Sequence, residues 1–142
     1  MKVHAESISV RTPGGGGRAS FVDVTDAVRA VVARAGVTTG LVHVFIRHTS
    51  ASLVIQENAD PRVLADMARW FDRIAPRSAT YEHDDEGPDD MPSHLRSAIT
   101  KTSESIPIRA GALALGTWQA LYLFEHRDAA HTRTLEVTAL GE

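Results

Sequence analysis

Gly40 to Pro76 reads GLVHVFIRHTSASLVIQENADPRVLADMARWFDRIAP, and the order of its periodicities decides the fold class. Gly40 to His48 is rich in β-branched and apolar residues, and Ser52 to Gln56 continues in that manner after the turn residues Thr49 and Ser50. Two strands thus follow one another with no helix between them, and their short connection predicts a hairpin with His48 at its tip. A helix comes next. Asp60 can accept hydrogen bonds from the first free amides, Pro61 suits the first helical position, and Leu64, Met67, Phe71 and Ile74 form an apolar stripe that Pro76 ends.

Working outward, residues 2–11 and 19–24 alternate as strands do, joined by Pro13 to Gly17, PGGGG, which predicts a mobile hairpin connection. A phosphate-cradling loop is the sharper reading of the glycines. It is the weaker one, because no Lys-Ser/Thr follows and no helix opens immediately after them. Val28, Val31, Val32 and Ala35 predict a helix with Thr25 as its N-cap and Gly36 at its end. After an acidic connection, PSHLRSAIT returns to helical spacing, and strands are expected at about Ser105 to Ile108, Leu113 to Arg127 and Thr132 to Leu140. Adjacent strands with segregated helices argue an α+β fold and exclude an alternating parallel one.

The chain of 142 residues, 43% hydrophobic and 23% charged, is the size of one domain with a real core, so residues 1–142 are read as a single unit. A net charge of −3 provides no basic field, which argues against a nucleic-acid partner. The absence of cysteine removes disulfides and thiolate metal sites. MKVHAESISVRT alternates instead of forming an apolar leader, and Ala112 to Phe124 is shorter than the roughly 20 residues that span a bilayer. No membrane association and a cytoplasmic location are the expectations.

Three clusters carry candidate chemistry. Tyr81 to His94, YEHDDEGPDDMPSH, places five acids between His83 and His94. Imidazole with carboxylate is what zinc or manganese accepts where no thiolate is offered, yet like charges in a run also stay hydrated as a solvated loop, and spacing alone leaves the two readings even. His48 stands among the hydroxyls of Thr49, Ser50 and Ser52, with Glu57 and Asn58 further along. That company suits either a ligand histidine with supporting hydrogen bonds or ordinary turn chemistry. In GTWQALYLFEHRDAAHTR, alternation puts Gln119, Leu121, Leu123, Glu125 and Arg127 on one face and Trp118, Ala120, Tyr122, Phe124 and His126 on the other. The second face reads as packing, Glu125 with Arg127 reads as a structural ion pair or part of a site, and Arg133 offers a planar fork for phosphate.

Together HTSASLVIQENADP, YEHDDEGPDDMPSHLRSAIT, LALGTWQALYLFEHRD and TRTLEVTALGE resemble the YjbQ family, the secondary thiamine-phosphate synthases. The resemblance covers the chain after about residue 40. It implies a small two-sheet β-sandwich with two main helices, assembled as a homotrimer with sites where subunits meet. It implies an enzyme that joins hydroxymethylpyrimidine diphosphate to a thiazole phosphate with help from a divalent metal ion, zinc, manganese or magnesium. The partner is then a small phosphorylated metabolite. The matched positions make His48, His83, Asp84 and His94 the candidate metal ligands, and His48, Glu86 and Glu125 the candidate catalytic groups. Asn58, Trp118, Arg127 and Arg133 are the candidate contacts to substrate and phosphate. A metal-dependent phosphate-ester hydrolase and a non-enzymatic trimeric metal- or metabolite-binding protein are the alternatives. The apolar face through Leu121 and Leu123 adds a reason to expect neighbouring subunits as its cover.

Overall fold

The computed structural model describes all residues, Met1–Glu142. Eight strands and three α-helices follow in the order β1 (Lys2–Thr12), β2 (Phe21–Asp23), α1 (Thr25–Ala35), β3 (Thr39–Ile46), β4 (Ala51–Glu57), α2 (Pro61–Ile74), α3 (Asp90–Ile99), β5 (Ser103–Arg109), β6 (Ala112–Leu113), β7 (Gln119–Glu125) and β8 (His131–Gly141). They form a five-stranded sheet, β1-β8-β3-β5-β6, and a three-stranded sheet, β2-β7-β4, and every neighbouring pair is antiparallel. The α+β sandwich expected from the sequence is the fold observed.

The pairing differs from the sequence reading. β3 and β4 do not form a hairpin, since β3 lies between β5 and β8 whereas β4 pairs with β7 in the other sheet. Nor do β1 and β2 pair with each other, their partners being β8 and β7. Each short connection carries the chain from one sheet to the other. Registers bring three such crossovers to one end of the sandwich: Thr12 opposes His131, Phe21 opposes Phe124, Ile46 opposes Leu135, and Ala51 opposes Glu125. Residues 13–20, 47–50 and 126–130 therefore run side by side. The glycine run is pinned there, because Gly15 N–H donates to the Asp128 carbonyl at 2.8 Å, and a Cβ on Gly14 (φ 77°) would lie 2.5 Å from that same oxygen. Only glycine admits so close an approach.

The main core lies between the sheets, where Val42, Val44 and Ile46 of β3, Leu135 and Val137 of β8, and Leu121 and Leu123 of β7 meet. Val28, Val31 and Val32 of α1 join the same cluster. Thr25 is the first residue of that helix and not its N-cap; its hydroxyl accepts the Leu121 amide at 2.9 Å, and Asp23 accepts the Thr25 amide instead. On the outer face of the small sheet, Leu64, Ala68 and Phe71 of α2 cover Phe21, Tyr122 and Phe124. Asp60 caps α2 by accepting from the Arg62 amide, with Pro61 first in the helix as expected. β7 is thus buried on both faces, which explains its unbroken apolar run. Leu121 and Leu123 are fully buried within one chain, so they give no reason to expect a neighbouring subunit. The long strand read from Leu113 to Arg127 is two, since residues 114–118 form a loop between β6 and β7.

No helix is long and apolar enough to cross a membrane.

Candidate functional site

Glu125, at the crossover end of β7, is buried, and so is Arg133 of β8. They form an ion pair in which Arg133 Nε donates at 2.8 Å and Nη2 at 2.5 Å, while the Thr12 hydroxyl donates to the same carboxylate at 2.7 Å. Burial alone would raise the Glu125 carboxyl, but the hydrogen bonds from Arg133 and Thr12 outweigh it and hold the group below its ordinary value. Arg133 Nη2 also donates to the Ser50 carbonyl and hydroxyl, so four of the side chain's contacts are spent on Glu125 and Ser50. Its role is to tie β8, β7 and the 47–50 crossover together. The partner of Glu125 is Arg133 and not Arg127, as the sequence alternation had suggested.

Arg127 points instead to the acidic stretch. Nε donates to Asp89 Oδ2 at 3.0 Å, Nη1 to Asp90 Oδ1 at 2.8 Å, and Nη2 to the Glu86 carbonyl at 2.9 Å. Asp89 also accepts the Asp128 amide at 2.9 Å. Burial opposes ionisation of Asp89, yet the Asp128 amide and Arg127 prevail and keep it below the usual carboxylate range. α3 follows directly. Its buried side is polar, with Asp90, Ser93 and Arg96 facing the 126–130 crossover, and Ser93 donates to the His126 carbonyl at 3.1 Å. The acidic stretch is therefore docked, and the solvated-loop reading fails for its C-terminal half.

That docking aims Asp90 Oδ2 at two imidazoles: it lies 2.8 Å from His83 Nε2 and 3.5 Å from His94 Nε2. His94 is one helical turn beyond Asp90, on the same face of α3, and His83 reaches in from the preceding loop. Ligand atoms of His83, Asp90 and His94 lie within 4.8 Å of one another, and Glu86 adds a carboxylate 2.8 Å from His83 Nε2. The hydrogen bond to Asp90, with further help from the surrounding acids, raises the His83 pKa. Two imidazoles with one carboxylate, itself oriented by Arg127 through its other oxygen, fit a divalent cation in donor type, and the fixed outer oxygen is what such centres use to aim a ligand.

Of the expected ligands, His83 and His94 come together, and Asp84 stays exposed on the loop beside them. His48 is elsewhere in the chain, in the 47–50 crossover, where Nε2 accepts the Thr134 amide at 2.9 Å and Nδ1 faces Arg133 at 3.5 Å. Burial, with Arg133 next, lowers its pKa, so it is a neutral ring held by the backbone. Asn58 and Trp118 are exposed at the opposite end of the small sheet, Glu57 pairing with Gln119, so a seven-residue strand separates them from Glu125, roughly 20 Å. The sequence reading did not include Asp90, which the structure places beside His83 and His94, among the candidate ligands. It began the helix two residues late, and Asp90 with His94 at i, i+4 was the signal available.

An antiparallel two-sheet α+β sandwich defines the structural class, and solved structures share that fold. The sequence model described as UPF0047 protein YjbQ-like matches residues 6–142. The chain belongs to the YjbQ/UPF0047 family. A UPF0047 protein of Synechocystis is 51% identical over 143 residues, covering 100% of this chain and 95% of that protein. The UPF0047 protein YjbQ of Salmonella typhimurium is 51% identical over 106 residues, 75% of this chain and 77% of that one. Among solved structures, a protein of unknown function from Sulfolobus solfataricus superposes with a TM-score of 0.86 at 26% identity, covering 99% of both chains. A YjbQ/UPF0047 family protein from Clostridium acetobutylicum gives 0.84 at 31% identity, covering 95% of this chain and 99% of that one.

Proposed function

We propose that this protein is a metal-assisted enzyme of the thiamine-phosphate synthase type, joining a hydroxymethylpyrimidine diphosphate to a thiazole phosphate and releasing diphosphate. The observation that carries it is the convergence of His83, Asp90 and His94 on one point, with Arg127 holding the far oxygen of Asp90. His83, Asp90 and His94 would hold the ion and Glu86 would border it. When bound, a divalent cation supplies charge neutralisation for an oxygen that becomes negative as a diphosphate leaves. The chain's own contribution is orientation: α3 carries Asp90 and His94 at fixed spacing, and the Arg127 clamp keeps the loop bearing His83 and Glu86 closed on it.

The test is thiamine-phosphate formation from the two precursors by chelator-treated protein, with and without added manganese or zinc, alongside His94→Ala. Turnover restored by metal in the parent protein and reduced by 10-fold or more in the variant is expected, roughly the lower range for losing support of a metal centre. Undiminished synthesis by metal-free protein or by His94→Ala would remove the reading. Metal-dependent release of phosphate from simple esters without any coupling of the precursors would move the assignment to a hydrolase.

A further inference from the structure

His48 lies outside the metal cluster, and its ring presents an unanswered donor instead. Nε2 accepts the Thr134 amide at 2.9 Å, so the neutral ring carries its proton on Nδ1. That Nδ1–H faces Arg133 Nη1 at 3.5 Å, and a guanidinium nitrogen has no lone pair to offer it. Two donors therefore confront each other with no acceptor between them.

Glu125, the nearest acid, does not supply one. Its Oε1 already accepts from Thr12 and Arg133 Nε, and its Oε2 from Arg133 Nη2 and the Arg127 amide. With Nε and Nη2 turned to that buried carboxylate, Nη1 is the edge of Arg133 left toward solvent, and His48 beside it is half-buried. Both residues border an open hollow of about 590 Å³, with Phe45, Arg47 and the hydroxyls of Thr49, Ser50 and Thr102, and no acid lines it. Ser50 Oγ accepts from Arg133 Nη2 at 3.0 Å and keeps its own proton free, which makes a third donor. The volume is in the range of small-molecule sites.

The charges in this wall select among acceptors. Arg133 is paired with Glu125 and Arg47 with Glu136, so the hollow is rich in donors without a surplus of positive charge. That suits a singly charged, planar acceptor better than a dianionic phosphate, and adjacent donors match the two oxygens of one carboxylate. Phe45, an exposed ring, adds an apolar face for the carbon skeleton of such a ligand.

We propose that this hollow binds the carboxylate of a small organic acid, with Arg133 Nη1, His48 Nδ1 and Ser50 Oγ as donors and Phe45 against the acid's apolar body. The hollow shares no residue with the cluster of His83, Asp90 and His94, so it is a second site and does not rest on the metal-centred reading.

Full-length, chelator-treated protein is titrated with benzoate and, in parallel, with benzamide and with inorganic phosphate, while the histidine ring nitrogens are followed by proton–nitrogen NMR. Before any addition His48 should show the Nδ1–H tautomer. Benzoate should bind saturably and move the His48 Nδ1–H signal, with benzamide and phosphate each at least about 10-fold weaker, the scale of one charged hydrogen bond. Phe45→Ala, at an exposed position where folding is not at issue, should weaken benzoate severalfold, and His48→Leu should weaken it by about 10-fold or more. An Nε2–H tautomer, no saturable benzoate binding, an unmoved His48 signal, equal affinity for benzamide or phosphate, or full affinity in either variant would each overturn the proposal.

Discussion

Arg133 illustrates how a residue's surroundings override its type. As a planar fork near a candidate site it invites a phosphate role, but its Nε and Nη2 are engaged by Glu125 and Ser50 in a buried network. Arg133→Ala should therefore reduce stability by about 3–5 kcal/mol, the usual cost of stranding one member of a buried pair, and not chiefly raise KM. Denaturant unfolding with a substrate titration separates the outcomes. Glu125 also predicts an acid response. Its folded pKa lies below its unfolded one, so its contribution is complete above the ordinary glutamate range and is lost as pH falls through the folded value. Stability should decline over that acidic window, and Glu125→Gln should be less stable at neutral pH with a shallower decline, as chemical unfolding at stepped pH would measure.

Among the elements, what was legible in the sequence was whatever depends on local chemistry. Asp60-Pro61 starts α2, the stripe of Leu64 and Phe71 faces the core, and Gly36 ends α1 in the left-handed region, each set by residues a few positions apart. Strand pairing was not legible, because a short turn between two strands is satisfied equally by a hairpin and by a step from one sheet to the next. Nothing in HTSA separates the two. The same limit governed the site: His83 and His94 were found from the motif, whereas the partner of Arg127 and the placement of His48 away from the cluster of His83, Asp90 and His94 depend on crossovers packed side by side. α3 supplies a test at this scale. Its polar underside is held by Arg127, and Gly87 before it sits at φ 100°, where a Cβ would come 3.2 Å from Asp89. Arg127→Met should free the segment 83–90, raise its amide exchange well above that of the β-sheet core, and weaken manganese or zinc uptake by about 10-fold or more while the global unfolding transition remains cooperative.

For the whole molecule, the remaining question is how copies of the chain associate. Burial of Leu121 and Leu123 beneath the chain's own second sheet removes the apolar strand as an argument, so the proposal of a homotrimer rests on family resemblance together with what stays uncovered. Trp118 is 63% exposed, Trp70 47% and Phe45 42%, large rings of the kind that interfaces enrich. Trp118 and Asn58 lie at the end of the small sheet opposite Glu125. Light scattering should then give three times the 15.4 kDa chain mass at micromolar concentration. Trp118→Ala should weaken assembly and, through it, metal-dependent turnover, with the unfolding of the individual chain little changed because the ring packs in neither core cluster. A monomer that keeps full turnover would separate the site from assembly and leave Trp118 an exposed surface residue.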